Sequence, residues 1–264
     1  MPGGPACHNA AMELTIPVAA GEVWAEDTGG DKAPLVLMHP GWGDSGIWDP
    51  VIGRLAGRYR VIRYDARGYG RSPASAAPYR ALDDLIAVLD HLGVDRAALV
   101  AHSGSGGPAL ALALDQPDRV GALILVAPGI EDYPWPDDDP YFAEFGALFE
   151  AGDREGLVAL GLRTWAAAGA DPPAQAQIRS AVRTFLADDG MQRPEPPVYP
   201  RLGDITVPSV LAVGDLDYPI VRDCAERIAG SIHGCQLIVV PGADHLLPLR
   251  APHALADIIG ARAG

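Results

Sequence analysis

Ala97-Ala98-Leu99-Val100-Ala101-His102-Ser103-Gly104-Ser105-Gly106-Gly107-Pro108 runs a short apolar segment into a serine set among small residues. Ala109 to Leu114 continues as an Ala/Leu-rich stretch of helical character. The order is that of a strand, a sharp turn carrying a nucleophile, and a helix whose N-terminus points back at the turn. A glycine-rich turn without chemistry reads the same way locally, so the remainder of the chain has to decide.

Upstream, Met12 to Ala19 and Glu22 to Glu26 alternate around Gly21 and predict an antiparallel hairpin at a sheet edge. Pro34 to His39 is a continuous apolar run ended by Pro40-Gly41, which predicts a strand buried on both faces. Trp48, Val51, Ile52 and Leu55 fall at helical spacing, and Tyr59 to Tyr64 is the next strand. Leu82, Leu85, Ile86, Leu89 and Leu92 form an amphipathic helix closed by Gly93. Downstream, Gly121 to Ala127 is another buried strand, stopped by Pro128.

From Glu131 the alternation ends and helical patterns follow one another to about residue 200. Asp153 is placed to cap one of these helices. Pro194, Pro196, Pro197 and Pro200 mark a stiff return. Val207 to Val213 and Gln236 to Val240 are then strands, and Val221 to Ile228 and Ala254 to Ala261 helices. Alternating strands and helices predict a parallel sheet covered on both faces. Residues 1–130 and 201–264 are expected to form one core domain, and 131–200 a helical insertion that roofs the strand ends as a lid.

Composition narrows the function classes. A 264-residue chain that is 48% hydrophobic can bury a large α/β core. Its formal net charge of −14 argues against nucleic acid and anionic membrane surfaces as partners. Cys7, Cys224 and Cys235 have no framework spacing and read as incidental thiols. The first twelve residues lack a basic start and an apolar core, so no signal peptide is expected there. No apolar run approaches the ~18 residues of a membrane helix. A cytoplasmic protein is expected.

A serine nucleophile needs a base, an acid to orient the base, and donors for the developing oxyanion. Gly214-Asp215-Leu216-Asp217 and Gly242-Ala243-Asp244-His245 each follow a strand, giving the order Ser, Asp, His expected for a nucleophile elbow. No His/Cys/Asp/Glu cluster has metal-ligand spacing, so neither a metal nor another cofactor is implied. A dinucleotide fingerprint through Gly104, Gly106 and Ala109 is the rival reading. It fails because the following strand ends in Val126-Ala127-Pro128 where an acidic residue should hold a ribose.

These residues resemble the α/β-hydrolase superfamily, in particular its small bacterial esterases, enol-lactonases and cofactor-free haloperoxidase-like members. The resemblance covers nearly the whole chain. It rests on His39-Pro40-Gly41-Trp42-Gly43-Asp44-Ser45, Asp65-Ala66-Arg67-Gly68-Tyr69-Gly70-Arg71-Ser72, the stretch around Ser103, and the segments ending in Asp217 and His245, the latter followed by Leu249-Arg250-Ala251-Pro252. It implies an α/β-hydrolase fold: a mostly parallel sheet of about eight strands flanked by helices, with a helical cap after strand six. It also implies Ser103 as nucleophile, His245 as base, Asp217 as acid, and the amides of Trp42 and Gly104 as the oxyanion hole, with the Trp42 indole beside the pocket.

The family pattern Gly-x-Ser-x-Gly is not kept, since Ala101 and Ser105 flank Ser103 at the small positions. Ser105 is sterically admissible too. Ser103 is preferred because it lies fourteen residues before Pro117, as is usual in relatives, and follows a histidine as theirs does. Asp215, and Glu131 or Asp132 after strand six, stay open as alternative acids or caps. His39 is expected to hold the neighbouring loop, and His102 to point away from the serine. His8, His91, His233 and His253 read as surface residues, and Asp65, Arg67 and Arg71 as structural. Trp135, Tyr141, Phe142, Phe145 and Trp165 face either the insertion's own core, which is the default, or the pocket, with one or two expected to reach the cleft; Trp135, Tyr141, Phe145 and Trp165 are the pocket candidates.

The reading is a serine hydrolase that cleaves a small-molecule carboxylic ester or lactone through an acyl-enzyme on Ser103. The alternatives use the same residues for C–C bond hydrolysis, perhydrolysis or a lyase step, or describe a ligand-binding, receptor-like member with slow turnover. An epoxide hydrolase or dehalogenase is disfavoured, because those relatives carry Asp at the nucleophile position.

Overall fold

The computed structural model describes residues 11–188 and 190–263. The expectations for Cys7 and His8 lie outside the described residues. Strands β1 (Met12–Val18) and β2 (Gly21–Asp27) open the chain, followed by β3 (Pro34–Met38), helix α1 (Asp49–Leu55), β4 (Arg60–Tyr64) and α2 (Ala81–His91). Next come β5 (Ala97–His102), α3 (Gly106–Asp115), β6 (Val120–Val126), α4 (Pro140–Glu150), α5 (Arg154–Trp165) and α6 (Pro172–Ala187). The chain ends with β7 (Ser209–Gly214), α7 (Pro219–Ser231), β8 (Gln236–Val240), α8 (Leu247–Arg250) and α9 (Pro252–Ala263).

The strands form one eight-stranded sheet in the order β1-β2-β4-β3-β5-β6-β7-β8. The pairs β1·β2 and β2·β4 are antiparallel and the remaining pairs parallel. The expected mostly parallel sheet is therefore present, and helices flank it. β5 is buried along its whole length because helices cover both faces, which is why it reads as an unbroken apolar run. β8 differs: its outer edge is open, and Val239 is 51% exposed.

Strand order reverses between β3 and β5, since the chain moves from β3 outward to β4 and then back across to β5. The carboxyl ends of strands flanking such a reversal diverge and leave a crevice for a ligand. The loops leaving β3 and β5 begin at His39 and Ser103 respectively.

Local rules explain most element boundaries. α2 buries Leu82, Leu85, Val88 and Leu89 on one face, each worth about 1.5–3 kcal/mol when fully buried. Asp139, Asp153 and Asp171 cap α4, α5 and α6 by accepting from the amides of Tyr141, Gly156 and Ala174. The hairpin departs from expectation. Its turn is Ala19-Ala20 with Ala20 at φ 56°, while Gly21 is already in β2. Gly21 is instead a point of close approach, where a Cβ would lie 3.2 Å from Arg67 Nη1. The four-residue helix α8 has no periodic pattern long enough to be read from sequence.

Arg67 pairs with Asp84 at 2.6 Å, both nearly buried, and Asp65 accepts from the amides of Ser45 and Arg71. This loop is structural, as expected. His91, His233 and His253 are exposed. Cys224 is buried, which pushes its thiol up to about 12, and Cys235 is half-buried. No helix among the described residues is long and apolar enough to cross a membrane.

Candidate active site

Ser103 is the first residue after β5 and has φ 56°, a left-handed conformation that a serine adopts only when the surrounding chain imposes it. The elbow is braced by a hydrogen bond from the Gly129 amide to the Ser103 carbonyl, 3.0 Å. The Ser103 hydroxyl donates to His245 Nε2 at 2.9 Å. His245 Nδ1 lies 3.1 and 3.0 Å from the two carboxylate oxygens of Asp217. The carboxylate requires the proton on Nδ1, which leaves Nε2 free to accept from the serine.

Two strand ends deliver the partners. Asp217 follows β7 and His245 follows β8, and the loops are joined by a hydrogen bond from the Leu216 amide to the Ala243 carbonyl, 3.0 Å. Gly214 makes this approach possible, because any Cβ there would collide with the Ala243 carbonyl. Asp217 and His245 are 3% and 1% exposed, so water does not compete for their bond. The Tyr218 amide also donates to Asp217 Oδ1 at 2.7 Å. Trp165 packs over His245 with ring centroids 4.7 Å apart.

The alternative residues are engaged elsewhere. The Ser105 hydroxyl faces the carbonyls of His102 and Met38 at 2.9 and 3.2 Å. Asp215 accepts from the Gly242 amide at 2.6 Å, and α7 starts after Tyr218 with no side-chain cap. Glu131 and Asp132 accept from the amides of Glu195 and Tyr199, fastening the proline-rich return. His39 accepts from the Ala66 amide at 2.9 Å through Nε2 and donates from Nδ1 to the Pro40 carbonyl at 2.9 Å, so it holds the loop leaving β3. His102 is fully buried and points away from the Ser103 hydroxyl.

A cleft of about 270 Å³ opens above Ser103, with Gly41, Trp42 and Gly104 on its floor. Among the described residues the amides of Trp42 and Gly104 donate to no side chain and to no loop carbonyl. Trp135, Tyr141 and Trp165 line the cleft, and so does the Trp42 indole. Phe145 does not; it packs behind, with its ring centroid 6.0 Å from those of Trp42 and Tyr141. Phe142, expected either in the insertion's own core or at the pocket, lines it too, whereas sequence reasoning missed Phe185, Ile220 and Val221. Their helical patterns record only which residues are apolar, and a cleft and a core draw on the same residue types. A second cavity of about 190 Å³ shares Gly41, Gly104 and Gly129 and runs toward Tyr64, Tyr69 and Glu195.

The loops bearing Trp42, Asp217 and His245 are each tied to the block α4–α6. Trp42 Nε1 donates to the Tyr141 hydroxyl at 3.0 Å. The Tyr218 hydroxyl, one residue beyond Asp217, donates to Asp139 at 2.8 Å. Asp244, beside His245, accepts from the Ala168 amide at 2.9 Å and from Arg250, which also pairs with Asp171 at 2.6 Å.

Comparisons with known proteins agree with this architecture. The model of the alpha/beta hydrolase family matches residues 35–258. A protein of Variovorax paradoxus (strain S110), provisionally named carbamate hydrolase RutD, is 31% identical over 238 residues, covering 80% of this chain and 84% of its own. A thermophilic esterase from Thermogutta terrifontis superposes with a TM-score of 0.76 at 26% identity, covering 95% of this chain and 97% of its own. Est816, described as an N-acyl homoserine lactone degrading enzyme, superposes with a TM-score of 0.78 at 26% identity, covering 94% and 99%. With the family pattern matched from β3 into α9, the chain belongs to the alpha/beta hydrolase family.

Proposed function

We propose that the protein is a serine hydrolase acting on a carboxylic ester or lactone, with residues 131–200 as its cap. The observation that carries this reading is the continuous hydrogen-bonded path from Ser103 through His245 to Asp217, on a serine held at positive φ. Ser103 Oγ attacks the substrate carbonyl while its proton passes to His245 Nε2, and Asp217 stabilises the imidazolium. The amides of Trp42 and Gly104 receive the oxyanion. As the C–O bond breaks, His245 returns the proton to the leaving alkoxide, which for a lactone stays attached to the acyl chain. A water then gives its proton to His245 and attacks the acyl-enzyme. The second tetrahedral intermediate collapses to release the acid, and Ser103 takes its proton back.

The cleft walls are aromatic, so an apolar substituent is accommodated on the cap side. The second cavity, meeting the cleft at Gly41, Gly104 and Gly129, offers a place for the other side of the ester. A carbamate is the second reading, favoured by the name of the Variovorax relative; it would be attacked at the same carbonyl by the same residues.

The experiment is a panel of p-nitrophenyl esters, lactones and carbamates with wild type and Ser103→Ala. Turnover of esters or lactones that vanishes in the variant supports the proposal, and preferential turnover of carbamates moves it to the second reading. No turnover of any of them, together with a ligand-induced rise in melting temperature, favours a binding protein instead.

A further inference from the structure

The loop that carries the Trp42 amide is clasped by α6. The Asp44 amide donates to Gln177 Oε1 at 2.9 Å, and Gln177 Nε2 donates back to Asp44 Oδ1 at 3.1 Å. The Ser180 hydroxyl donates to Asp44 Oδ2 at 2.7 Å. Gln177 and Ser180 are one helical turn apart on the buried face of α6, at 8% and 6% exposure. Gln177 sits directly on the loop backbone, since a Cβ on Gly43 would collide with its Oε1. Asp44 also accepts from the Gly46 amide at 3.0 Å, capping the turn Ser45–Trp48. Burial pushes the Asp44 carboxyl up, but the bonds from Ser180, Gln177 and the Gly46 amide outweigh it and hold it below its ordinary value.

Nothing in the sheet makes an equivalent bond to Asp44 among the described residues. α6 is also anchored independently of this loop, because Arg250 pairs with Asp171 at its N-terminus. Losing Gln177 would therefore leave the helix seated and free the loop at Asp44, while His39 still holds its start and Asp65 the Ser45 amide.

We infer that Gln177 and Ser180 are positioning residues that act through Asp44 to hold the Trp42 amide where an oxyanion develops, so that this donor is aligned only while α6 is docked. The inference rests on the reading of Ser103 as nucleophile and Trp42 as oxyanion donor. It separates binding from chemistry: a displaced amide weakens the tetrahedral state far more than the bound substrate.

The test compares wild type, Gln177→Leu and Ser180→Ala with p-nitrophenyl acetate as substrate and phenylboronic acid as inhibitor. Phenylboronic acid accepts Ser103 Oγ at boron, with the serine proton passing to His245, and so imitates the tetrahedral state. For Gln177→Leu, kcat should fall about 10- to 100-fold with KM within about threefold, and the inhibitor should weaken by a similar factor. Ser180→Ala should move both quantities in the same direction by less, and it decides the matter should the glutamine variant fail to fold. Variants that fold with unchanged kcat and unchanged inhibitor affinity, or that change only KM, overturn the inference. A wild type that neither hydrolyses the ester nor binds phenylboronic acid overturns the reading of the site itself and takes the inference with it.

Discussion

His102 donates from Nε2 to the backbone carbonyl of His245 at 2.8 Å, so the residue preceding the serine holds the residue that accepts the serine's hydrogen bond. The two rings lie 5.2 Å apart between centroids. Burial, and then the nearby His245, push the His102 imidazole well below its ordinary value of 6.5. The folded protein thus keeps His102 neutral while the unfolded chain takes up a proton as pH falls through 6.5. The stability contributed by neutral His102 is present above that pH and is lost progressively below it. The melting temperature should drop as pH is lowered from about 7.5 to about 5.5, and His102→Gln, which retains a donor but does not titrate, should show a shallower drop. Parallel profiles for the two proteins would show that His102 is not responsible.

Gly214→Ala should be among the most damaging single-methyl additions in the molecule. The new Cβ meets backbone at the Ala243 carbonyl, which cannot rotate away, and the clash pries apart the loops bearing Asp217 and His245. A destabilisation of about 3 kcal/mol or more is expected, read by urea unfolding, with loss of soluble protein as the extreme result.

Gly161 in α5 faces the Trp42 ring, and a Cβ there would lie 2.5 Å from Trp42 Cζ3 and 2.8 Å from Ile178 Cγ2. Gly161→Ala should cost about 1–3 kcal/mol through overpacking. It should also lower kcat for p-nitrophenyl acetate, because the indole and the Trp42 amide belong to one residue. An unchanged kcat in a folded variant would mean that the ring moves without the loop.

Ser105→Ala separates the two serines. The Ser105 hydroxyl binds carbonyls at the ends of β3 and β5, so its loss should lower stability by about 1 kcal/mol while activity stays within about threefold. Loss of activity comparable to that of Ser103→Ala would contradict this assignment.

The sheet was readable in the sequence because buried parallel strands appear as unbroken apolar runs, as at Leu35 to Met38 and Leu99 to Ala101. Ser103, Asp217 and His245 could be singled out because each follows an apolar run within a few residues, with a glycine close by. What joins them to the helical block could not be read. Gln177 lies 133 residues from Asp44, and nothing local distinguishes it from other polar residues of an amphipathic helix. Phe185 was missed for a related reason, since periodicity gives the apolar face of a helix but not whether that face meets side chains or an open cleft. The hairpin turn misled in a different way. Gly21 is the residue type a turn prefers, but Arg67 occupies the space beside it, and Ala20 takes the left-handed conformation instead.

The most direct measurement of the central claim is covalent labelling with a fluorophosphonate, followed by fragmentation of the tryptic peptide spanning residues 97–119, which contains both serines. The account predicts one adduct, on Ser103, absent from Ser103→Ala and strongly slowed in His245→Ala. An adduct on Ser105, or none on the folded wild-type protein, would contradict it.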